Sequence, residues 1–336
     1  MKQMASILLA LSLFLLPLAG CSPSNTSNQT STLPTDQASI QPIRIGGLTG
    51  PTSIGMVHLM DTEESDTAAL PYEFTLAANA DELVPKLVKG ELDMAAIPAN
   101  LAAILNQNTN GAICVLAVNT LGVLSLVEKG GETIQSIADL KGKTIYATGK
   151  GTVPEYVLRH LLSSNGLNPD TDVTIEFKSE PTEVVSILAS NKTGIAMLPQ
   201  PYVTVAQGKV EGLRIAIDLT QAWDALKTNS TMITGVMVAR RDFVSANPDL
   251  IPKFLSEYEA SIKFSLENVE QAAVLTEKYG ITNAKVALTA IPHCNLTFLA
   301  GKEMKTALSG YLEVLYAQNK ASVGNALPDD GFYFGS

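Results

Sequence analysis

The sequence predicts an α/β fold with two lobes, each built from a mostly parallel sheet flanked by helices. Short apolar runs alternate with helical stretches from residue 43 onward, at the spacing of β-α units. The alternation restarts near residue 124, which predicts a second sheet. After residue 247 the pattern is mainly helical, and this tail is expected to complete the first lobe.

The first module alternates strands and helices and begins with the apolar run at residue 43. Strands are predicted at residues 43–48, 73–77, 93–97 and 113–118, and helices at residues 53–60, 80–89 and 100–107. Gly90 directly follows the second of these helices, as is common at helix ends.

The second module repeats the alternation. Strands are predicted at residues 124–128, 143–147, 173–177, 193–198 and 213–217, and helices at residues 136–140, 154–165 and 181–189. Pro154 in the first turn and Gly166 after the last residue bound the clearest of these helices. An apolar run at residues 232–239 then precedes predicted helices at residues 248–268, 269–279, 283–288 and 301–318.

This order predicts the division into lobes. Residues 43–120 and 234–336 are expected to form lobe 1, and residues 121–233 lobe 2. The segments 119–122 and 231–235 would then be the two crossings of a two-stranded hinge. Ligands of such sheets bind beyond the carboxyl ends of the strands, so the site is expected in the cleft between the lobes, with closure around the ligand.

The N-terminal segment is typical of a secretory signal peptide. Lys2 precedes an apolar stretch at residues 4–16, and the small residues of Leu18-Ala19-Gly20 stand before Cys21. The stretch is shorter than the roughly 20 residues that a membrane span requires. Residues 21–42 are rich in Ser, Thr, Asn and Pro, which predicts a flexible tether.

The sequence LAGC at residues 18–21 resembles the lipobox of bacterial lipoproteins. The resemblance implies that residues 1–20 are removed and that Cys21 is acylated. It further implies an extracytoplasmic protein that is anchored by lipid to a bacterial membrane. A plain signal peptide followed by an incidental cysteine remains the alternative.

Composition bounds the remaining classes of function. The formal net charge is −10 and no basic cluster is present, so nucleic-acid binding has no electrostatic support. Hydrophobic residues make up 46% of the chain, enough for a large core. Cys114 and Cys294 could pair, but two buried free thiols are favoured because Cys114 lies in an apolar run. No cofactor and no metal site are predicted.

Five motifs carry a resemblance to a known family. They are GGLTG at residues 46–50, GELDMA at 90–95, IADLKGK at 137–143, GKGTVPEY at 149–156 and AMLPQP at 196–201. The chain resembles, from residue 43 to 334, the substrate-binding proteins of ABC importers in the branch for nitrate, taurine, alkanesulfonates and thiamine-pyrimidine precursors. The resemblance implies the type II periplasmic-binding-protein fold, capture of a solute, delivery to permease subunits, a monomer and no catalytic residues.

Loops that join a strand end to a helix start supply most of the candidate ligand-binding residues, because their amides and hydroxyls would face the cleft. These candidates are Thr49, Gly50, Thr52, Ser53, Asn100, Asn119, Gly151, Thr152, Glu155, Gln200 and Trp223. Several have a structural alternative. Thr52, Ser53 and Asn100 could cap helices, and Glu155 could complement a helix dipole instead of accepting from a ligand N–H. Trp223 and Tyr202 could stack on a flat ligand or belong to the core or the rim of the site.

Lys150 is the only cation in these loops, so the sequence favours a small neutral or zwitterionic solute that contains nitrogen, with a small oxyanion as the alternative. A ligand-sensing lipoprotein that signals to a membrane receptor remains a second functional hypothesis. An enzyme related to thiamine-pyrimidine synthases is disfavoured. That branch carries a cysteine-rich stretch and a histidine, and Cys294 beside His293 is a poor substitute.

Overall fold

The computed structural model describes residues 41–228 and 230–336. The predicted signal peptide, Cys21 and the tether up to residue 40 lie outside the described residues.

Eleven strands and thirteen α-helices make up the described part of the chain. The strands are β1 (Ile43–Leu48), β2 (Tyr72–Ala77), β3 (Met94–Pro98), β4 (Ile113–Leu121), β5 (Leu124–Lys129), β6 (Thr144–Ala147), β7 (Thr174–Phe177), β8 (Gly194–Pro199), β9 (Leu213–Asp218), β10 (Ile233–Arg240) and β11 (Leu296–Ala300). The helices are α1 (Pro51–Ile54), α2 (Val57–Glu64), α3 (Ala80–Val88), α4 (Ala99–Asn108), α5 (Val153–Ser164), α6 (Pro181–Ser190), α7 (Tyr202–Lys209), α8 (Leu219–Asp224), α9 (Arg241–Ala246), α10 (Leu250–Glu267), α11 (Val269–Lys278), α12 (Ala284–Ala290) and α13 (Gly301–Gln318).

The strands form two sheets, as predicted. The first has the order β11-β4-β10-β3-β1-β2 and the second the order β7-β6-β8-β5-β9. Strands β2, β1 and β3 are parallel, as are β7, β6 and β8. Strand β10 is inserted in the opposite direction between β3 and β4, and β5 is inserted likewise between β8 and β9. Most strands therefore share one direction, but the reversed strands make both sheets mixed.

The predicted helix at residues 53–60 is in fact two helices, α1 and α2, separated at Gly55 and Met56. Helix α10 causes this interruption. The Ser261 hydroxyl donates to the Gly55 carbonyl oxygen at 2.7 Å and accepts from the Leu59 amide at 2.9 Å. A Cβ atom at Gly55 would lie only 2.7 Å from Ile262 Cγ1. A partner that is distant in sequence thus fixes the break, which local pattern could not predict.

The chain passes from the first sheet to the second between β4 and β5, and it returns at β10. The two passages lie side by side, since Leu121 pairs with Ile233 and Thr120 with Gly235. The antiparallel pairing is irregular around Gly235, where the register shifts on both sides.

A buried ion-pair cluster joins three strands of the first sheet. Asp93 stands directly before β3, and its carboxylate accepts from Arg44 of β1 at 2.7 Å and from Arg240 of β10 at 3.0 Å. The Asp93 side chain is only 4% exposed. Burial raises the pKa of Asp93, but the hydrogen bonds from the two arginines outweigh that effect and hold the pKa below its usual value.

Apolar packing links the C-terminal helix to both sheets. Helix α13 contacts β4 and β11 of the first sheet and α5 beside the second. Its Tyr311 ring lies 5.5 Å from the fully buried Trp223 of α8, which in turn lies 4.7 Å from His160 of α5.

The thiols of Cys114 and Cys294 are buried and unpaired, as favoured from the sequence. Burial raises the pKa of Cys114 to about 11 and that of Cys294 to about 12. No helix in the described ranges combines the length and apolar character needed to cross a membrane.

Candidate functional site

A cavity of about 190 Å³ lies between the two sheets. Its walls come from the carboxyl ends of strands in both sheets and from the loops and helix starts that follow them. The lining residues are Leu48, Thr49, Gly50, Pro51, Thr52, Ala78, Asn79, Pro98, Val123, Leu124, Thr148, Gly149, Thr152, Val153, Pro154, Ser179, Glu180, Pro181, Pro199, Tyr202 and Thr234.

The loop between β1 and α1 supplies three of the predicted residues to this wall: Thr49, Gly50 and Thr52. The Thr49 amide donates to the Ala77 carbonyl oxygen at 2.9 Å, which ties the loop to the end of β2. Thr52 is 5% exposed, and its buried hydroxyl has no hydrogen-bond partner among the residues described. The hydroxyl is therefore a buried polar group beside the cavity that no described residue satisfies.

The loop between β6 and α5 supplies the facing wall. Gly149 and Gly151 both adopt a positive φ, which favours glycine. Thr152 lines the cavity, and its hydroxyl donates to the Gly149 carbonyl oxygen at 2.8 Å. The Thr152 hydroxyl therefore holds the loop in shape while the side chain faces the cavity.

Glu155 does not face the cavity, contrary to its predicted role as a ligand acceptor. One carboxylate oxygen accepts from the Gly151 amide at 2.7 Å, and the other accepts from Arg159 Nε at 2.8 Å. Both oxygens are engaged within the loop and helix, so the structural alternative describes this residue.

Gly151, Ser53, Asn100 and Asn119 lie near the cavity but do not line it. The Asn100 amide donates to the carbonyl oxygens of Gly151 and Ser322. Ser53 is fully buried. A Cβ atom at Gly235 would lie 2.4 Å from Thr52 Cγ2 and 2.7 Å from Asn119 Oδ1, so both side chains pack against Gly235.

Gln200 and Trp223 are also placed away from the cavity. Gln200 accepts from the Thr204 hydroxyl at 3.0 Å and lines a separate space of about 250 Å³ near His293. Trp223 is fully buried, and its indole N–H donates to the Ser230 carbonyl oxygen at 3.1 Å. Its ring faces are covered by other side chains, so the expectation that it stacks on a ligand is wrong.

Sequence reasoning missed several polar residues of the wall. These are Asn79, Thr148, Ser179, Glu180 and Thr234. The first four follow the ends of β2, β6 and β7 within three residues, so the rule of strand carboxyl ends could have found them. Tyr202, which was weighed as a stacking residue, does line the cavity.

Charge is scarce at the cavity wall. Among the lining residues in the described ranges, Glu180 is the only one with a charged side chain. Burial raises the pKa of Tyr202, and the nearby Glu180 carboxylate raises it further. Lys150 is exposed and does not line the cavity. Within residues 41–228 and 230–336, no group of three His, Cys, Asp or Glu side chains is arranged to hold a metal ion.

Comparison with protein families gives one match that covers more than half of the chain. The model of a family described as NMT1/THI5 like matches residues 73–272. A protein of Brucella abortus (strain 2308), named as a candidate binding protein, is 28% identical over 170 residues. That match covers 51% of this chain and 50% of the Brucella protein, so the chain spans about half the length of the curated relatives it matches.

Solved structures show the same fold. An ABC transporter protein from Parabacteroides distasonis superimposes with a TM-score of 0.71 at 24% identity, covering 87% of this chain and 98% of that one. The periplasmic aliphatic sulphonate binding protein of Escherichia coli gives 0.68 at 17% identity, with 84% and 94% covered. The alkanesulfonate-binding protein of Xanthomonas axonopodis pv. citri, bound to MOPS, gives 0.66 at 14% identity, with 86% and 94% covered. At these identities the likeness extends to the two-lobed fold alone.

Proposed function

The chain belongs to the NMT1/THI5-like family, and from this we propose that it is a solute-binding protein of an ABC importer. It captures a small polar organic solute between its two lobes and delivers the solute to membrane permease subunits. The observation that carries the proposal is the cavity, whose wall is shared between strand ends of both sheets.

The geometry suits binding by closure. Lobe 1 comprises residues 43–120 and 234–336, and lobe 2 comprises residues 121–233. The paired passages at Leu121 and Ile233 act as the hinge between them. Rotation about two adjacent strands changes the distance between the facing loops at Thr52 and Thr152 while each sheet stays intact.

The wall suits recognition by hydrogen bonds. It offers threonine hydroxyls, backbone groups, one asparagine amide and one carboxylate, beside apolar surface from proline, valine and leucine side chains. Pockets of this mixture hold small organic molecules and orient them through a few polar contacts. This mixture supports the proposed role as a binding protein. We propose that the protein acts as a monomer and without covalent chemistry.

The site of action follows from the N-terminal motif. Cys21 after Leu18-Ala19-Gly20 supports acylation of this cysteine and attachment to the outer side of a bacterial cytoplasmic membrane. A single acyl chain binds membranes weakly, so stable anchoring needs more than one chain on the lipidated terminus.

A thermal-shift screen of the full chain tests the proposed function. The panel holds sulfonates, nitrate, pyrimidines, flavins, polyamines and amino acids. A ligand at 100 times its Kd adds roughly 2.7 kcal/mol to the free energy of unfolding, which raises the Tm by several degrees. A selective rise for one chemical class is expected, whereas a folded sample that responds to no class contradicts the proposal.

A further inference from the structure

Glu180 gives the cavity a negative charge that no lining cation offsets. It lies at the start of α6, is half-buried and lines the cavity. Its carboxylate takes part in no hydrogen bond or ion pair with the residues described, whereas the carboxylates of Asp93, Glu128 and Glu155 are all paired with arginine. Glu180 is therefore a half-buried acceptor that remains available to a ligand.

The described residues that line the cavity include no cationic side chain to bind a strong anion. Five helices begin at its wall: α1, α4, α5, α6 and α7. Three of them have a proline in the first turn, which is Pro51 in α1, Pro154 in α5 and Pro181 in α6. Proline has no N–H group, so each of these three helix starts has one donor fewer to offer. The Gly151 amide, which precedes α5, is already bound by Glu155. With neither lysine nor arginine among the described lining residues, a sulfonate or nitrate would meet one like charge and no opposite charge.

Tyr202 complements the carboxylate. Its half-buried ring lines the same cavity, and Glu180 is close enough to raise the pKa of its hydroxyl. An aromatic face beside a carboxylate attracts ammonium and guanidinium groups, through the ring quadrupole and the opposite charge together.

A second part of the wall offers uncharged hydrogen-bonding groups. The hydroxyls of Thr52 and Thr234 are buried, and neither has a hydrogen-bond partner among the residues described. The Thr52 side chain belongs to a residue that is 95% buried. Buried polar groups are nearly always satisfied in folded proteins, so a ligand hydroxyl, carbonyl or amide is the fitting partner at this end.

From these contacts we infer that the solute is a small organic cation. Its ammonium or guanidinium group binds the Glu180 carboxylate against the Tyr202 ring, and its uncharged polar group binds the hydroxyls of Thr52 and Thr234. This inference rests on the proposed function and names the charge class of the solute.

Calorimetric titration of the full chain tests it with probes matched in shape and opposite in charge. Ethanolamine and choline carry a hydroxyethyl group on a cation, and isethionate carries the same group on a sulfonate. Agmatine adds a guanidinium group. At least one cationic probe is expected to bind, and isethionate is not.

Two variants that remove the same charge test whether the carboxylate of Glu180 itself determines the affinity for a cation. Glu180→Gln is expected to weaken binding of the cationic probe at least tenfold, which corresponds to about 1.4 kcal/mol. Glu211→Gln removes the same charge between α7 and β9, where the side chain is exposed and does not line the cavity. It is expected to keep the affinity within about twofold, as its charge is screened by solvent.

Three results would overturn the inference. Isethionate could bind while the cations do not; this result leaves the proposed function standing and reverses the charge class. A cation could bind equally well to Glu180→Gln, which would remove Glu180 as its anchor. If no probe of either charge binds, the cation class fails, and the wider thermal-shift panel decides separately whether solute binding fails as well.

Discussion

The side-chain amide of Asn100 donates to the Gly151 carbonyl oxygen at 3.4 Å and so connects the two walls of the cavity. Asn100 belongs to the first turn of α4, beside the first sheet, while Gly151 belongs to the loop before α5, beside the second. The same amide donates to the Ser322 carbonyl oxygen at 3.2 Å, which adds the C-terminal segment to the junction. The side chain of Asn100 thus connects helix α4 with the loop before α5 and with the C-terminal segment at Ser322.

Asn100→Ala is expected to lower the free energy of unfolding by about 1–3 kcal/mol, because it leaves the buried Ser322 carbonyl oxygen without its donor. Ligand affinity should fall as well, since the loop at Gly151 loses a contact across the cavity. Urea denaturation and calorimetry measure the two effects. Asn108→Ala, at the exposed end of the same helix, is the control and should change stability by less than about 0.5 kcal/mol. Equal stability of both variants would contradict the bridging role.

Thr152→Trp is expected to abolish solute binding and to lower the free energy of unfolding by about 1 kcal/mol, because the hydroxyl contact with Gly149 is lost. Thr152 is half-buried at the cavity wall, so a large side chain there occupies a space of only about 190 Å³. Thermal shift with the best ligand of the panel measures the loss. Thr171→Trp places the same side chain at an exposed loop position outside the cavity and should bind normally. Unchanged affinity in Thr152→Trp would remove this loop from the site.

Gly235→Ala is expected to destabilise the protein by about 1–3 kcal/mol through overpacking. The added Cβ atom would lie 2.4 Å from Thr52 Cγ2 and 2.7 Å from Asn119 Oδ1. Gly208→Ala is the opposite case, because Gly208 lies within helix α7 with no heavy atom within 4 Å of the added methyl group. It should stabilise by about 0.5–1 kcal/mol. Chemical denaturation should therefore show a lower free energy of unfolding for Gly235→Ala and a higher one for Gly208→Ala.

Asp93→Asn is expected to lower the free energy of unfolding by about 1–3 kcal/mol at pH 7, because Arg44 and Arg240 lose the buried carboxylate that accepts their hydrogen bonds. The lowered pKa of Asp93 in the folded state also predicts a pH dependence. The stabilisation is fully present above the ordinary aspartate pKa of about 3.9 and is lost as the pH falls through the lower folded value. The difference in free energy of unfolding between wild type and Asp93→Asn should accordingly become smaller below pH 4.

Glu267→Gln is the control for this pH series. It breaks the exposed pair between Lys263 and Glu267, whose atoms lie 3.9 Å apart. Exposed pairs of this kind contribute about 0–1 kcal/mol. If the difference in free energy of unfolding between wild type and Asp93→Asn stayed constant across the acid range, the ionised carboxylate would not be the source of the stabilisation.

Cys21→Ser is expected to prevent lipid attachment and to move the protein from the membrane fraction to the soluble fraction. Metabolic labelling with a radioactive fatty acid, followed by cell fractionation, measures both effects. Continued labelling of Cys21→Ser would assign the lipid to another residue, and an unlabelled wild type would favour the plain signal peptide.

Much of the fold could be predicted because strands and helices alternate, and because proline and glycine residues mark where several helices begin and end. The limits of α13 were predicted to the residue, and most other predicted elements lie within two residues of the observed ones. Helices α7, α8 and α9 and strand β11 were missed. Helices α8 and α9 have only six residues each, which is too short for a helical period to show in the sequence. Helix α7 has apolar residues on no single face, and β11 is a short strand whose register is irregular and set by pairing with β4.

The site was predictable to the level of loops but not of side chains. Thr52 and Thr152 line the cavity because strand ends fix where their loops lie. Glu155 was misassigned because an arginine four residues later and a preceding glycine amide compete for its carboxylate. Glu180 was missed although it stands three residues after the end of β7, because that position indicates where the loop lies but not whether the side chain faces the cavity or the solvent. Such competition among partners is settled only by tertiary packing.

The burial of Trp223 has a spectroscopic consequence. It is the only tryptophan in the chain, and its indole is held between His160 and Tyr311 with its N–H bonded to the Ser230 carbonyl oxygen. Its intrinsic fluorescence therefore comes from one dry environment beside the C-terminal helix, with no background from other indoles. A red shift of that emission reports separation of α13 from α5 and α8, so a single emission band can follow the docking of the C-terminal helix in real time without any attached dye.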